Sequence, residues 1–364
     1  MNRKMLPFQF FKAMLSLSLL LAFGIQNTFS QTQKTENIVL ITLDGMRWQE
    51  VFNGADSLLL GEAGQESEFW HSSPLERRRK LMPFTWSVLE NQGQLYGNRT
   101  IGNLVNTSNT MWFSYPGYNE ILTGKADDER INSNNKVNNP NITFLEHLNK
   151  IPDFQGKIRA FGSWDVFPYI INEERSDIPV NAGWEKVTGS KLTEREKILN
   201  RLKDEIQVNI GPTRLDAFTY HLALEALRNQ KPKVLYIAFD ETDHFAHGGK
   251  YGEYLLSANQ IDRYIQEIWE TLQSDPRYKE KTTLLVTTDH GRGTTTETWK
   301  GHGDEYAEAG QVWMMAIGPD TPADGEMKVE GQWNSSMIAR TIFKLLGLEY
   351  PDPDAGQAIQ EMVK

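Results

Sequence analysis

The stretch "NIVLITLDG", residues 37–45, decides the fold. From Ile38 to Leu43 every residue is apolar or β-branched, and the run stops at Asp44-Gly45. An alternating strand would keep one face for water. This one keeps none, so it belongs inside a sheet covered on both sides. The same design returns in "KVLYIAFD" (233–240) and "TTLLVTTDHG" (282–291). "KIRAFGSWD" (157–165) and "VWMMAIGP" (312–319) are expected as further strands. Helical patterns separate them: 214–230, 251–273, and 335–348 with its leading serines. Buried strands alternating with helices predict an α/β fold with a mainly parallel sheet. Two segments break the alternation, 125–141 and 166–211, and are expected to be insertions above the sheet.

Three of the apolar strands end in acid: Asp44, Asp240 with Asp243, and Asp289. A single aspartate there reads as a turn or cap residue. Three of them, at the carboxyl ends where α/β sheets gather their ligands, read as a site. The chain has only 7 histidines, and His244, His247, His290 and His302 fall beside these aspartates. Asp243 and His247 stand four apart and would share a helical face, but so would Asp240 and His244. Gly291 ends the strand after Asp289-His290 and lets the chain turn, and His302 lies between two glycines. Carboxylates and imidazoles suit zinc or manganese, and the set is too large for one tetrahedral ion. Two ions about 4 Å apart can stabilise the attacking and leaving oxygens of a phosphoryl transfer.

Composition narrows the classes. With 0 cysteines there are no disulfides, thiolate ligands or cysteine nucleophile. Arg3, Lys4 and Lys12, then "AMLSLSLLLAFGI", then small residues around Phe29 have the order of a secretory signal peptide over residues 1–30. The expectation is an exported protein, bacterial periplasmic or secreted, with residues 31–364 as its catalytic domain. Net charge is −10, and losing the leader's three cations takes it to −13. Nucleic-acid binding is therefore not expected. The partner is a small molecule, and an anionic one needs a local positive site.

In "SNTMWFSYPGYNEILTG" (108–124), Ser114 reads equally as a helix cap and as a nucleophile. Taken in order, Asp44, Ser114, the Asp-x-x-x-His pair, Asp289-His290-Gly291 and His302 resemble the alkaline phosphatase superfamily. The nearest branch is the type I phosphodiesterase/nucleotide pyrophosphatase one, with its secreted phosphatases. That resemblance implies a three-layer α/β/α sandwich and a metal-dependent phosphoric ester hydrolase with two divalent ions, zinc or manganese. It implies Asp44, Ser114, Asp289 and His290 around one ion, and Asp243, His247 and His302 around the other. It also implies catalysis through a phosphoserine on Ser114, with the Tyr115 N–H beside a phosphoryl oxygen. Asp240 with His244 stays open as the alternative pair.

One position departs. Gly117 stands where the branch has an asparagine, so the phosphate contact is expected from Asn119, Arg47 or Arg292. Arg292, Arg130 and Lys300 are candidates for the cation that a monoester dianion needs. The alternatives to a phosphatase are a phosphodiesterase, a phosphonate hydrolase, and a non-catalytic member that binds metal. Trp48, Trp112 and Trp299 lie near proposed ligands and could line a pocket or simply pack in the core.

Overall fold

The computed structural model describes Met1 and residues 33–61, 67–206 and 211–364. The signal peptide expected over residues 1–30 lies, Met1 aside, outside the described residues. No helix among the described residues is long and apolar enough to cross a membrane.

The strand Asn37–Leu43 (β1) is the centre of an eight-stranded sheet. Its other strands are Gly93–Tyr96 (β2), Ile158–Gly162 (β4), Val180–Ala182 (β5), Val234–Phe239 (β6), Thr282–Thr287 (β7), Met314–Ile317 (β9) and Gly325–Glu326 (β10). Their order is β10-β2-β9-β7-β1-β6-β4-β5. β5, β4, β6, β1 and β7 run parallel, and β9 is antiparallel to both its neighbours. A smaller sheet joins Asn103–Asn106 (β3), Gln311–Val312 (β8) and Gly331–Asn334 (β11) in the order β11-β3-β8.

The missing polar face of β1 is explained by its two coverings. Val39, Ile41 and Leu43 point into one core, with Leu235, Ile237, Phe239, Leu284 and Val286. That side is closed by the helices Asp216–Asn229 and Tyr251–Ser274. Ile38 and Leu40 point into the other, under the helices Ser114–Thr123 and Ile338–Leu345. The result is three layers with period-two side-chain partition across the sheet.

Some expectations shift. "VWMMAIGP" is two strands, not one: β8 belongs to the small sheet and β9 to the large one. The chain changes sheets at Trp313, whose buried indole N–H donates to the Met46 carbonyl (2.8 Å). The serines before the last helix form a 3-10 turn, Ser335–Met337, ahead of the helix proper. Within 166–211, β5 is the edge strand of the large sheet, and Glu194–Glu205 is a helix opened by a Thr193/Glu196 capping box. Residues 207–210 lie outside the described residues. Residues 125–141 contain neither helix nor strand.

Candidate active site

The carboxyl ends of β1, β6 and β7 bring the sequence-marked residues together. Asp44 follows β1, and its Oδ2 accepts the Tyr118 hydroxyl (2.9 Å). Gly45 comes next with φ +57°. A Cβ at Gly45 would lie 2.6 Å from Arg292 Nη1, 3.0 Å from Asp243 Oδ1 and 3.1 Å from His290 Cε1. Only glycine lets those three side chains meet there. Its N–H donates to Asp289 Oδ1 (3.1 Å), joining the β1 and β7 ends.

Around His290 the geometry is tight. Its Nδ1 lies 2.8 Å from the Gly291 carbonyl, a contact that fits N–H donation and turns the Nε2 lone pair inward. That Nε2 is 3.2 Å from Asp44 Oδ1, 3.5 Å from Asp289 Oδ2 and 3.5 Å from Ser114 Oγ. Asp44 Oδ1 and Asp289 Oδ2 are buried and accept no hydrogen bond. Such orphaned acceptors are costly unless something cationic sits among them.

A second group lies beside the first. The helix Glu241–His247 carries Asp243 and His247 on one face, with His247 Nε2 3.2 Å from Asp243 Oδ2. His302 Nε2 is 3.6 Å from Asp243 Oδ1 and 2.9 Å from His247 Nε2. His302 is oriented through Nδ1, 3.3 Å from the Trp112 carbonyl. Asp243 joins both groups: Asp243, His247 and His302 make one possible ligand set, and Asp44, Asp243 and His290 another. Among the described residues, neither set includes Asp240 or His244. Asp240 starts the helix as its cap position and draws Asp216 onto its backbone N–H (2.9 Å).

Electrostatics follow from crowding. Burial, then the neighbouring Asp243, pushes Asp44 well above the ordinary carboxylate range. Burial and Asp44 do the same to Asp289 and Asp240. Asp243 is the exception: burial alone would raise it, but the Arg292 guanidinium and two imidazoles hold it well below the usual range. Burial lowers His290 to about 4, and burial with the nearby His290 lowers His302 to about 2. Both imidazoles are thus neutral near pH 7, with lone pairs free to bind a cation.

Ser114 is the first residue of its helix, and Phe113 holds the cap position. Its hydroxyl makes no capping bond and faces His290 instead. Gly117 has a packing reason: a Cβ there would lie 2.3 Å from the Asp289 carbonyl oxygen. The departure at Gly117 lets the serine helix rest on the β7 end.

The residues expected to replace the missing asparagine are committed elsewhere. Arg47 is buried against Glu50, with Nη1 on the Gly293 carbonyl (3.2 Å). Arg292 is buried too; it grips Asp243 and donates to the Trp299 (2.9 Å) and Lys300 (2.5 Å) carbonyls. Asn119 Oδ1 accepts from Asn139 and Asn141 (3.1 Å each), tying the serine helix to segment 125–141. The Tyr115 N–H donates to Asn134 Oδ1 (3.0 Å). Asn134 is exposed, and its amide N–H groups have no partner among the described residues. Sequence reasoning missed it because it sits among six asparagines in 132–141 with nothing to set it apart.

The model of the type I phosphodiesterase / nucleotide pyrophosphatase family matches residues 55–341. The chain belongs to this family. The matched region holds Ser114, Asp243, His247, Asp289, His290 and His302, and Asp44 lies just ahead of it. Membership makes the chain a phosphoester hydrolase. No curated protein matches it. Among solved structures, the alkaline phosphatase PafA is 12% identical, with 91% of this chain and 99% of that chain covered and a TM-score of 0.58. A phosphonate monoester hydrolase from Silicibacter pomeroyi is 13% identical (90% and 76% covered, TM-score 0.57). The lipoteichoic acid synthase LtaP from Listeria monocytogenes is 13% identical (88% and 74%, TM-score 0.56). At these identities the likeness is one of fold.

Proposed function

We propose that the chain is an exported phosphodiesterase that uses two divalent ions, with zinc the best fit and manganese the alternative, and Ser114 as nucleophile. One observation carries the reading. The unpartnered Asp44 Oδ1 and Asp289 Oδ2 converge with His290 Nε2 beside the Ser114 hydroxyl. The donor set fits such ions: oxygen and imidazole nitrogen only, His290 and His302 neutral, and carboxylates that burial alone leaves uncompensated.

Asp44, Asp289, His290 and Ser114 would hold one ion, and Asp243, His247 and His302 the other. Bound there, the ions supply the positive charge that acidifies the serine hydroxyl and offsets charge on the leaving oxygen. Three aspartates, Arg292 and two divalent ions together leave a local excess of two positive charges. That excess can draw an anionic ester despite the acidic surface. Ser114 Oγ gives up its proton and attacks phosphorus in line, one ester oxygen departs as the alcohol, and the other ester group stays on the phosphoryl group now bound to Ser114. Water then hydrolyses that serine phosphodiester and releases the monoester. The Asn134 amide N–H groups, on a side chain held beside the serine by the Tyr115 N–H, would orient the unreacting phosphoryl oxygens.

Diesters are favoured over monoesters because of where the arginines are held. A monoester dianion asks for one more cation, yet Arg292 is bound to Asp243 and Arg130 pairs with Asp127. Of the three candidates only Lys300 remains. The test is metal content together with turnover of bis-p-nitrophenyl phosphate and p-nitrophenyl phosphate. Two ions per chain and faster turnover of the diester are expected. Two ions with turnover of neither would replace this reading with a binding role.

A further inference from the structure

The chemistry above leaves the tryptophans near the serine unused. Trp48 and Trp112 are both half-buried and both meet residues 310–311. The Trp48 indole N–H donates to Gln311 Oε1 (3.0 Å). The Trp112 ring lies against Gly310, where a Cβ would sit 2.7 Å from the indole nitrogen. This strip is fixed to the site by the Gly291 N–H, which donates to the Ala309 carbonyl (2.7 Å) next to His290.

Trp112 itself stands out. It has φ +50°, a left-handed backbone that bulky residues rarely adopt. The turn aims its carbonyl at His302 Nδ1 (3.3 Å) and at the Gly303 N–H, which donates to it (2.8 Å). A glycine would make that turn without strain, so the backbone role does not account for the indole. Packing against Gly310 accounts for only part of it, because the residue is not fully buried. Its N–H has no hydrogen-bond partner among the described residues. Trp112 stands two residues before Ser114, and its carbonyl meets His302, the group beside which the ester oxygen would leave.

We propose that Trp112 is a specificity-determining residue, the platform on which an aromatic leaving group of the ester lies. The proposal rests on the ester-hydrolase reading of the site. An aromatic ring stacks on an indole face with little demand on its substituents, so the platform selects planar groups as a class.

Trp112→Gly is the clean probe, because it removes the indole and keeps the backbone turn. Wild type and variant, both zinc-loaded, are compared on methyl phenyl phosphate and on methyl trifluoroethyl phosphate. Each ester is compared with itself across proteins, so its intrinsic reactivity cancels. Losing the stack should lower kcat/KM for the phenyl ester ~10-fold or more and change the trifluoroethyl ester less than about 2-fold. Trp112→Phe should keep most of the phenyl preference, and zinc content should not change. Equal losses on both esters, or none on either, overturn the proposal. Calorimetric binding of phenylphosphonate against methylphosphonate separates the two readings. If neither ester turns over but the phenyl preference disappears in Trp112→Gly, the hydrolase reading fails and the platform stands. If the preference is unchanged, the platform falls whatever the turnover.

Discussion

Gly117→Ala gives a perturbation whose size can be worked from the contacts. A Cβ at 117 would lie 2.3 Å from the Asp289 carbonyl oxygen, 2.8 Å from its carbonyl carbon and 3.0 Å from its Cβ. Two of the three are backbone atoms, so no side chain can swing away. An ordinary contact leaves roughly 1 Å to be made up by shifting the serine helix off the β7 end. The shift falls between Ser114 on one element and Asp289-His290 on the other. A misplacement of about 1 Å between reacting groups can cost ~100-fold in rate. The overpacking itself costs about 1–3 kcal/mol, offset by up to ~1 kcal/mol because alanine is the better helix former. The expected variant is folded, binds metal more weakly and has kcat/KM reduced ~100-fold. The assay is diester turnover, with metal content measured on the same samples. Gly252→Ala is the control, since a Cβ there meets nothing within 4 Å. It should be active and no less stable. Full activity in Gly117→Ala would refute the claim that this contact registers the serine against the ligands.

Two further outcomes follow from charge. Asp44→Asn should cut the metal content by one ion per chain and reverse its own stability effect with loading. Under chelation it should melt above chelated wild type, because it removes one of the crowded carboxylates that burial and Asp243 destabilise. With metal present it should melt below wild type, and thermal unfolding with and without chelator reads both. Lys203 gives a pH dependence away from the site. Burial, then Arg214, lowers it to about 7 in the folded chain, where it donates to the Glu185 carbonyl. The unfolded chain keeps that proton to about pH 10, so it binds more protons than the folded one between about pH 7 and 10. Stability should therefore rise with pH across that window, by up to ~4 kcal/mol at Lys203. Urea unfolding of Lys203→Met should show a flatter profile than wild type, and parallel profiles would contradict the assignment.

What the sequence made legible was what strong local patterns carry. β1, β6 and β7 could be read because they are covered on both faces, and a strand with no polar side allows few other fates. Their terminal aspartates then marked the candidate site. β2 and β10 could not be read: "GQLY" and "GE" have little pattern of their own and depend on partners far along the chain. "VWMMAIGP" hid its break because Trp313 is as apolar as its neighbours, and only its hydrogen bond to Met46 marks the corner. Arg47, Arg292 and Asn119 had the right functional groups for phosphate. Arg47 is taken by Glu50, three residues on, while Asp243 for Arg292 and the Asn139/Asn141 pair for Asn119 are set by tertiary packing, which spacing does not encode. Asn134 lay in the reverse situation, a residue without local signal that the chain brings to the serine helix from an irregular segment.

The central claim is that Ser114 attacks phosphorus. Its most direct measurement is acid-quenched reaction with a diester, followed by mass spectrometry of the peptide that carries Ser114. Wild type should carry on Ser114 the phosphoryl group with its remaining ester substituent, and Ser114→Ala that still holds its two ions should show no adduct and no turnover. An unmodified Ser114 throughout turnover, with Ser114→Ala as fast as wild type, would contradict it.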